Sequence, residues 1–118
     1  MRVLVVDDDI IIRHFFIRSL RRYVDVEQAR GVVEALSKLR STRFDAVIAD
    51  EYMPDGSGRA LLAQVRALQS SCRRALISAD EMLVHGPECE EFFPKIGGLA
   101  RSIAWIRVLS VTTERSAG

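Results

Sequence analysis

Four strand-like runs in this chain each stop at a residue that phosphoryl-transfer chemistry can use. Arg2 to Val6 leads into Asp7, Asp8 and Asp9; Asp45 to Ala49 leads into Asp50; Ala75 to Ile77 leads into Ser78; Glu91 to Pro94 leads into Lys95. A carboxylate cluster, a lone acid, a hydroxyl and an ammonium at the carboxyl ends of parallel strands would converge on one edge of a sheet. Two carboxylates about 4 Å apart repel by roughly 4 kcal/mol at an effective dielectric near 20, and a third adds to the conflict. Such a cluster calls for a cation. Hard carboxylate oxygens without thiolate or imidazole neighbours suit Mg²⁺ or Mn²⁺, and an Asp carboxylate is also a competent nucleophile toward phosphorus. Acids at a helix start commonly serve as caps, which is sufficient for Asp9. Capping does not explain why Asp50, Ser78 and Lys95 also sit at strand ends.

The elements between these residues read as helices. Apolar residues recur at helical spacing through Ile12, Phe15, Phe16 and Leu20, then through Val32, Val33, Leu36 and Leu39, then through Leu61, Leu62, Val65 and Leu68. Short apolar strands alternating with helices imply a parallel sheet covered on both faces. Val3 to Val6 and Ala46 to Ala49 are apolar on both sides, as central strands should be, whereas Val24-Asp25-Val26-Glu27 alternates like an edge strand. Right-handed crossovers then favour an α/β, flavodoxin-like (βα)5 doubly wound sheet of order 2-1-3-4-5, whose topological switch point lies between the first and third strands. Asp7, Asp8 and Asp50 meet there.

Leu4-Val5-Val6-Asp7-Asp8-Asp9, Asp50-Glu51-Tyr52-Met53-Pro54-Asp55-Gly56 with Gly58 beyond, Ser78-Ala79 and Phe92-Phe93-Pro94-Lys95 together resemble the receiver domain of two-component response regulators in content, order and approximate spacing. Each motif alone is weak evidence; four in register are strong. The resemblance runs from about Arg2 to Leu109. It implies that Asp50 is the phosphoryl acceptor, that Asp7 and Asp8 hold Mg²⁺ (or Mn²⁺) with Asp50, and that the Tyr52 backbone carbonyl completes the metal site. It further implies that Ser78 hydrogen-bonds the phosphoryl group, that Lys95 pairs with Asp50 and the phosphate, and that Phe92 is the aromatic switch residue. Lys95 stands out in a chain that otherwise uses arginine, Lys38 being the only other lysine; an ammonium acts as a compact point charge where a guanidinium is a broad fork.

The sequence also departs from the family pattern. Receivers usually follow this lysine with a proline in a cis peptide; here Pro94 precedes Lys95 and Ile96 follows it, which implies an all-trans loop. Tyr52 and Asp80, each two residues beyond a site residue, flank the approach for water. The interval from Ser78 to Phe92 is several residues shorter than in a typical receiver and contains Gly86 and Pro87. A shortened fourth helix is therefore expected, confined to about Asp80 to His85, barely more than one turn.

One hundred and eighteen residues with net charge +1 fit one compact core. Residues 1–110 are expected to form the receiver domain and 111–118 a short polar tail without order. Interspersed arginines and acids give no basic stripe for nucleic acid. No apolar run approaches membrane-spanning length and no signal-peptide pattern opens the chain, so a cytoplasmic location is expected. Cys72 and Cys89 are too few for a scaffold and read as reduced structural thiols; His14 and His85 lack partners at metal-ligand spacing. Trp105 fits either the core or an exposed contact.

These features point to a stand-alone response regulator: it would take a phosphoryl group from a histidine kinase or histidine phosphotransfer protein onto Asp50 and change its affinity for a downstream protein target. Mg²⁺-dependent self-phosphorylation and autodephosphorylation, without classical enzymatic turnover, would follow, and the protein is expected to be monomeric. The alternative is a receiver-like interaction module that acts independently of phosphorylation. An Asp-nucleophile phosphatase of α/β fold fits less well, because Tyr52 occupies the position where such enzymes usually carry a second acid.

Overall fold

The computed structural model describes residues 1–80 and 86–117. The elements run β1 (Arg2–Val6), α1 (Ile10–Leu20), β2 (Asp25–Ala29), α2 (Val32–Ser41), β3 (Ala46–Asp50), β4 (Tyr52–Met53), β5 (Gly56–Ser57), α3 (Gly58–Leu68), β6 (Arg73–Ser78), β7 (Glu91–Pro94) and α4 (Lys95–Ala117). Five strands pair in parallel in the order β2-β1-β3-β6-β7. With β6 and β7 as the fourth and fifth strands, this is the flavodoxin-like 2-1-3-4-5 order expected from the alternation, and β2 lies at the edge. The described residues contain four helices. The turn assigned to a shortened fourth helix lies mostly outside the described residues, as do Met82, Leu83 and His85.

Each sheet face is covered by two helices. Val3, Val5, Ala46 and Ile48 pack with Phe16, Leu20 and Ile106 of α1 and α4 on one side; Leu4, Val6, Val47 and Ala49 pack with Ala35, Leu39, Leu61 and Leu62 of α2 and α3 on the other. Strands β1 and β3 are therefore buried on both faces, as their continuous apolar runs require. The helical stripes are narrower than their spacing suggests. Phe15, Val33 and Leu68 are exposed, while Arg13, which lies outside the apolar stripe, is buried on the core side of α1.

Three local features differ from expectation or extend it. A two-stranded antiparallel hairpin, β4-β5, begins two residues after Asp50. Helix α4 opens irregularly, with non-helical dihedrals at Ile96 and Gly97, the latter at φ +82°, so Lys95 sits on a bend between β7 and the regular helix. The same helix continues to Ala117 and takes in most of the tail expected at 111–118; no glycine or proline interrupts Arg101 to Ala117, so helix propagation meets no breaker. All peptide bonds among the described residues are trans. Trp105 is half-buried, its ring centroid 6.1 Å from that of Phe93. Among the described residues no helix is long and apolar enough to cross a membrane.

Candidate functional site

The carboxyl ends of β1 and β3 carry the acids. The Asp7 N–H donates to the Ala29 carbonyl at 3.1 Å, extending the β1-β2 ladder by one step and fixing the Asp7 backbone. Asp7 is fully buried; its Oδ1 accepts the Asp9 N–H at 2.8 Å. Asp9 turns outward and caps α1, accepting the Ile11 N–H at 2.9 Å. Asp50 ends β3 and is buried, whereas Asp8 is exposed. Asp7, Asp8 and Asp50 each present a carboxylate oxygen, and all three lie within 4.8 Å of one another.

Lys95 reaches this cluster from the bend after β7. Its Nζ lies 3.0 Å from Asp7 Oδ2 and 3.3 Å from Asp50 Oδ1, so the trans path at Ile96 brings the ammonium fully into the site. One cation faces three carboxylates, and the imbalance shows in the two buried ones, Asp7 and Asp50. Burial, reinforced by the Asp7 carboxylate and opposed by Lys95, pushes the Asp50 carboxyl up to about 6. Burial also raises Asp7, against the Asp9 N–H and Lys95. For Lys95, burial alone would lower the pKa, but the hydrogen bond and charge of Asp7, then of Asp50, raise it. An excess of negative charge held by hard oxygen donors, two of the three carboxylates buried, fits a divalent cation such as Mg²⁺: Asp7, Asp8 and Asp50 are the residues that would hold it.

Ser78 ends β6 and is fully buried. Its Oγ accepts the Asp80 N–H at 3.0 Å, and Asp80 Oδ2 in turn accepts the Tyr52 hydroxyl proton at 2.7 Å. The two residues expected to flank the approach for water are thus joined by a hydrogen bond, although the Tyr52 ring itself is exposed. Phe92 lies beside Leu76 in the β6-β7 register and is half-buried against the α2-α3 side of the core.

Other residues built into the site were not evident from their type. Buried Arg13 donates from Nη1 to the Asp7 carbonyl at 2.7 Å and from Nε to Gln28 Oε1 at 2.9 Å, fixing the backbone that presents the acids. The only mark of this in the sequence is that Arg13 falls three and seven residues before the core positions Phe16 and Leu20. Glu51, next to Asp50, is buried and pairs with Arg59 of α3, Oε2 to Nε at 3.0 Å. Asp55, in the β4-β5 turn, accepts two N–H groups from the start of α2. Cys72 and Cys89 are free and buried, and burial pushes the Cys72 thiol up to about 12.

Residues 3–92 match the model of the response regulator receiver domain. Over 120 residues the chain is 33% identical to the response regulator MprA of Mycobacterium avium (strain 104), covering 97% of this chain and 53% of that protein. It is 32% identical, over 97% of this chain and 52% of the relative, to MprA of Mycobacterium tuberculosis. The chain spans about half the length of these curated relatives. Among solved structures, the response regulator TrrA from Thermotoga maritima, in complex with Mg²⁺-BeF, superposes with a TM-score of 0.82 at 26% identity, over 92% of this chain and 97% of that one. A CheY-like receiver from Methanospirillum hungatei JF-1 has the same TM-score at 20% identity, covering 98% and 97% of the two chains, and shows the shared fold. With matching motifs, strand order and family model, this chain belongs to the response regulator receiver domain family.

Proposed function

We propose that this domain accepts a phosphoryl group onto Asp50 from the phosphohistidine of a kinase or phosphotransfer protein, and signals by altered binding to a second protein. The observation that carries this reading is the placement of Asp50 at the end of β3, paired with Lys95 and flanked by Asp7 and Asp8. In the step, an Asp50 carboxylate oxygen forms a bond to phosphorus as the phosphorus–nitrogen bond of the donor breaks, and the imidazole leaves with the bond's electron pair. Phosphoryl transfer is governed by positioning and charge neutralisation. A bound Mg²⁺ would supply positive charge to the phosphoryl oxygens, and Lys95 supplies it from the protein. The Ser78 hydroxyl, whose oxygen accepts the Asp80 N–H, has its own proton to donate to a phosphoryl oxygen. The Tyr52–Asp80 pair restrains water near the acyl phosphate.

Three exposed isoleucines support a protein donor. Ile10 and Ile11 form the first turn of α1 beside Asp7 to Asp9, and Ile96 follows Lys95; they are 54%, 74% and 76% exposed. Apolar side chains around a charged pocket suit docking of a partner's helical face, with the phosphohistidine entering between them. Such a kinase or phosphotransfer donor acts in the cytoplasm, where we place the domain. Incubation with acetyl phosphate and Mg²⁺, followed by intact-mass spectrometry and hydroxylamine trapping, should find one labile phosphoryl group on the wild type and none on Asp50→Ala. Continued labelling of the variant would remove Asp50 from its role.

A further inference from the structure

Helix α2 has no cap of its own. Its N-cap residue is Gly31, which supplies no side-chain bond, and the amides of Val32 and Val33 donate instead to Asp55, at 2.9 Å to Oδ1 and 3.0 Å to Oδ2. These bonds bridge 23 and 22 residues and tie the β4-β5 turn to the helix. The fit is close. A Cβ on Gly31 would lie 2.6 Å from Asp55 Oδ1, so the carboxylate fills the space a side chain would take. Gly56, at φ +151°, brings the turn against Val32, where a Cβ would meet Cγ2 at 3.1 Å. The amides of Val33 and Val32 hold the Asp55 carboxyl below its ordinary range. The hairpin so fixed starts two residues after Asp50 and bears Tyr52.

We propose that Asp55 is a positioning residue for the cation site: by capping α2 across the fold, it holds the β4-β5 hairpin, and with it the backbone leaving Asp50, in the arrangement that binds Mg²⁺. The proposal rests on the reading of Asp7, Asp8 and Asp50 as the magnesium site. Linkage makes the coupling reciprocal. Mg²⁺ should therefore slow amide exchange at Val32 and Val33, in a helix that contributes no residue to the carboxylate cluster.

The test compares wild type, Asp55→Ala, and Asp55→Ala combined with Gly31→Ser, by Mg²⁺ titration calorimetry and by amide exchange with and without Mg²⁺. Gly31 has extended dihedrals (φ −174°, ψ −173°) that serine adopts freely. With the Asp55 carboxylate gone, a serine there restores a local cap without restoring the tether. Asp55→Ala should weaken Mg²⁺ binding about fivefold, the factor expected for loss of one cap coupled fully to binding. The double variant should regain protection of Val33, the N2 amide that an N-cap serine can reach, but keep the weak affinity. Wild-type affinity in either variant would overturn the proposal, because Asp55 would then serve α2 alone. If the wild type itself fails to bind Mg²⁺, the magnesium reading fails first and takes this inference with it. Amide protection in β1 and β3 reports that each variant is folded.

Discussion

The Asp50 carboxyl is held up to about 6 from an ordinary 3.8, mainly by burial and then by Asp7. The native state thus favours its protonated form. A folded-state pKa above the unfolded value gives a stability contribution that is present below about 4 and lost as the pH rises through about 6. Without divalent cation, the protein should lose on the order of 1–3 kcal/mol across this window through Asp50 alone. Asp7, also raised, acts in the same sense. Asp50→Asn should remove the Asp50 share of the slope and raise stability at neutral pH, measured by urea denaturation in EDTA at several pH values; an identical slope in the variant would show that the conflict lies elsewhere. This conflict was legible in part from sequence, because Asp7, Asp8, Asp50, Ser78 and Lys95 each follow an apolar run whose end fixes their location. Arg13, Glu51 and Asp55 were not. An arginine among isoleucines reads as a solvent-facing flank, and an acid beside an acid reads as part of the same cluster. Their partners, the Asp7 carbonyl, Arg59 and the α2 amides, are set by how elements meet rather than by local pattern.

At the scale of elements, the approach of α3 to β3 leaves the least room. Helix α3 begins at Gly58, whose N–H donates to the Glu51 carbonyl at 2.9 Å. A Cβ there would lie 2.2 Å from the Asp50 carbonyl oxygen and 2.8 Å from its carbon, backbone atoms that have no rotamer by which to move aside. Gly58→Ala must shift α3 or the end of β3, at a cost on the order of 1–3 kcal/mol typical of forced overpacking. Because the displaced carbonyl belongs to the proposed acceptor residue, phosphorylation from acetyl phosphate should also slow. Urea midpoints and labelling rates of the variant test both effects, and a variant as stable as wild type would mean that α3 is free to slide. The Gly58 position was visible as part of a motif, but the reason for it was not. Likewise the β4-β5 hairpin, with two residues in each strand, is too short for alternation to announce.

Across the whole molecule, the sheet links the acid edge to the rest of the core. Strand order followed from the sequence because doubly buried strands, an alternating edge strand and intervening helices admit few arrangements; what no local pattern gives is which side chains adjoin across that sheet. In the parallel β6-β7 register, Ser78 pairs with Pro94 and Leu76 with Phe92. Ser78 and Leu76, two apart on β6, share a sheet face with Phe92, and Phe92 is half-buried. A charge-assisted hydrogen bond from Ser78 to a phosphoryl group is worth about 1.5–3 kcal/mol, enough to shift a two-state equilibrium roughly ten- to a hundredfold. Drawing Ser78 toward Asp50 would open space beside Leu76 into which the Phe92 ring can turn. With no hydroxyl to bond in either orientation, Phe92 should follow packing alone. Ser78→Ala should therefore still accept the phosphoryl group while losing most of the wild-type NMR shift change at Phe92 on beryllofluoride binding, the equilibrium moving by about tenfold less. An undiminished Phe92 response in that variant would show that the signal leaves Asp50 by a route that does not pass through Ser78.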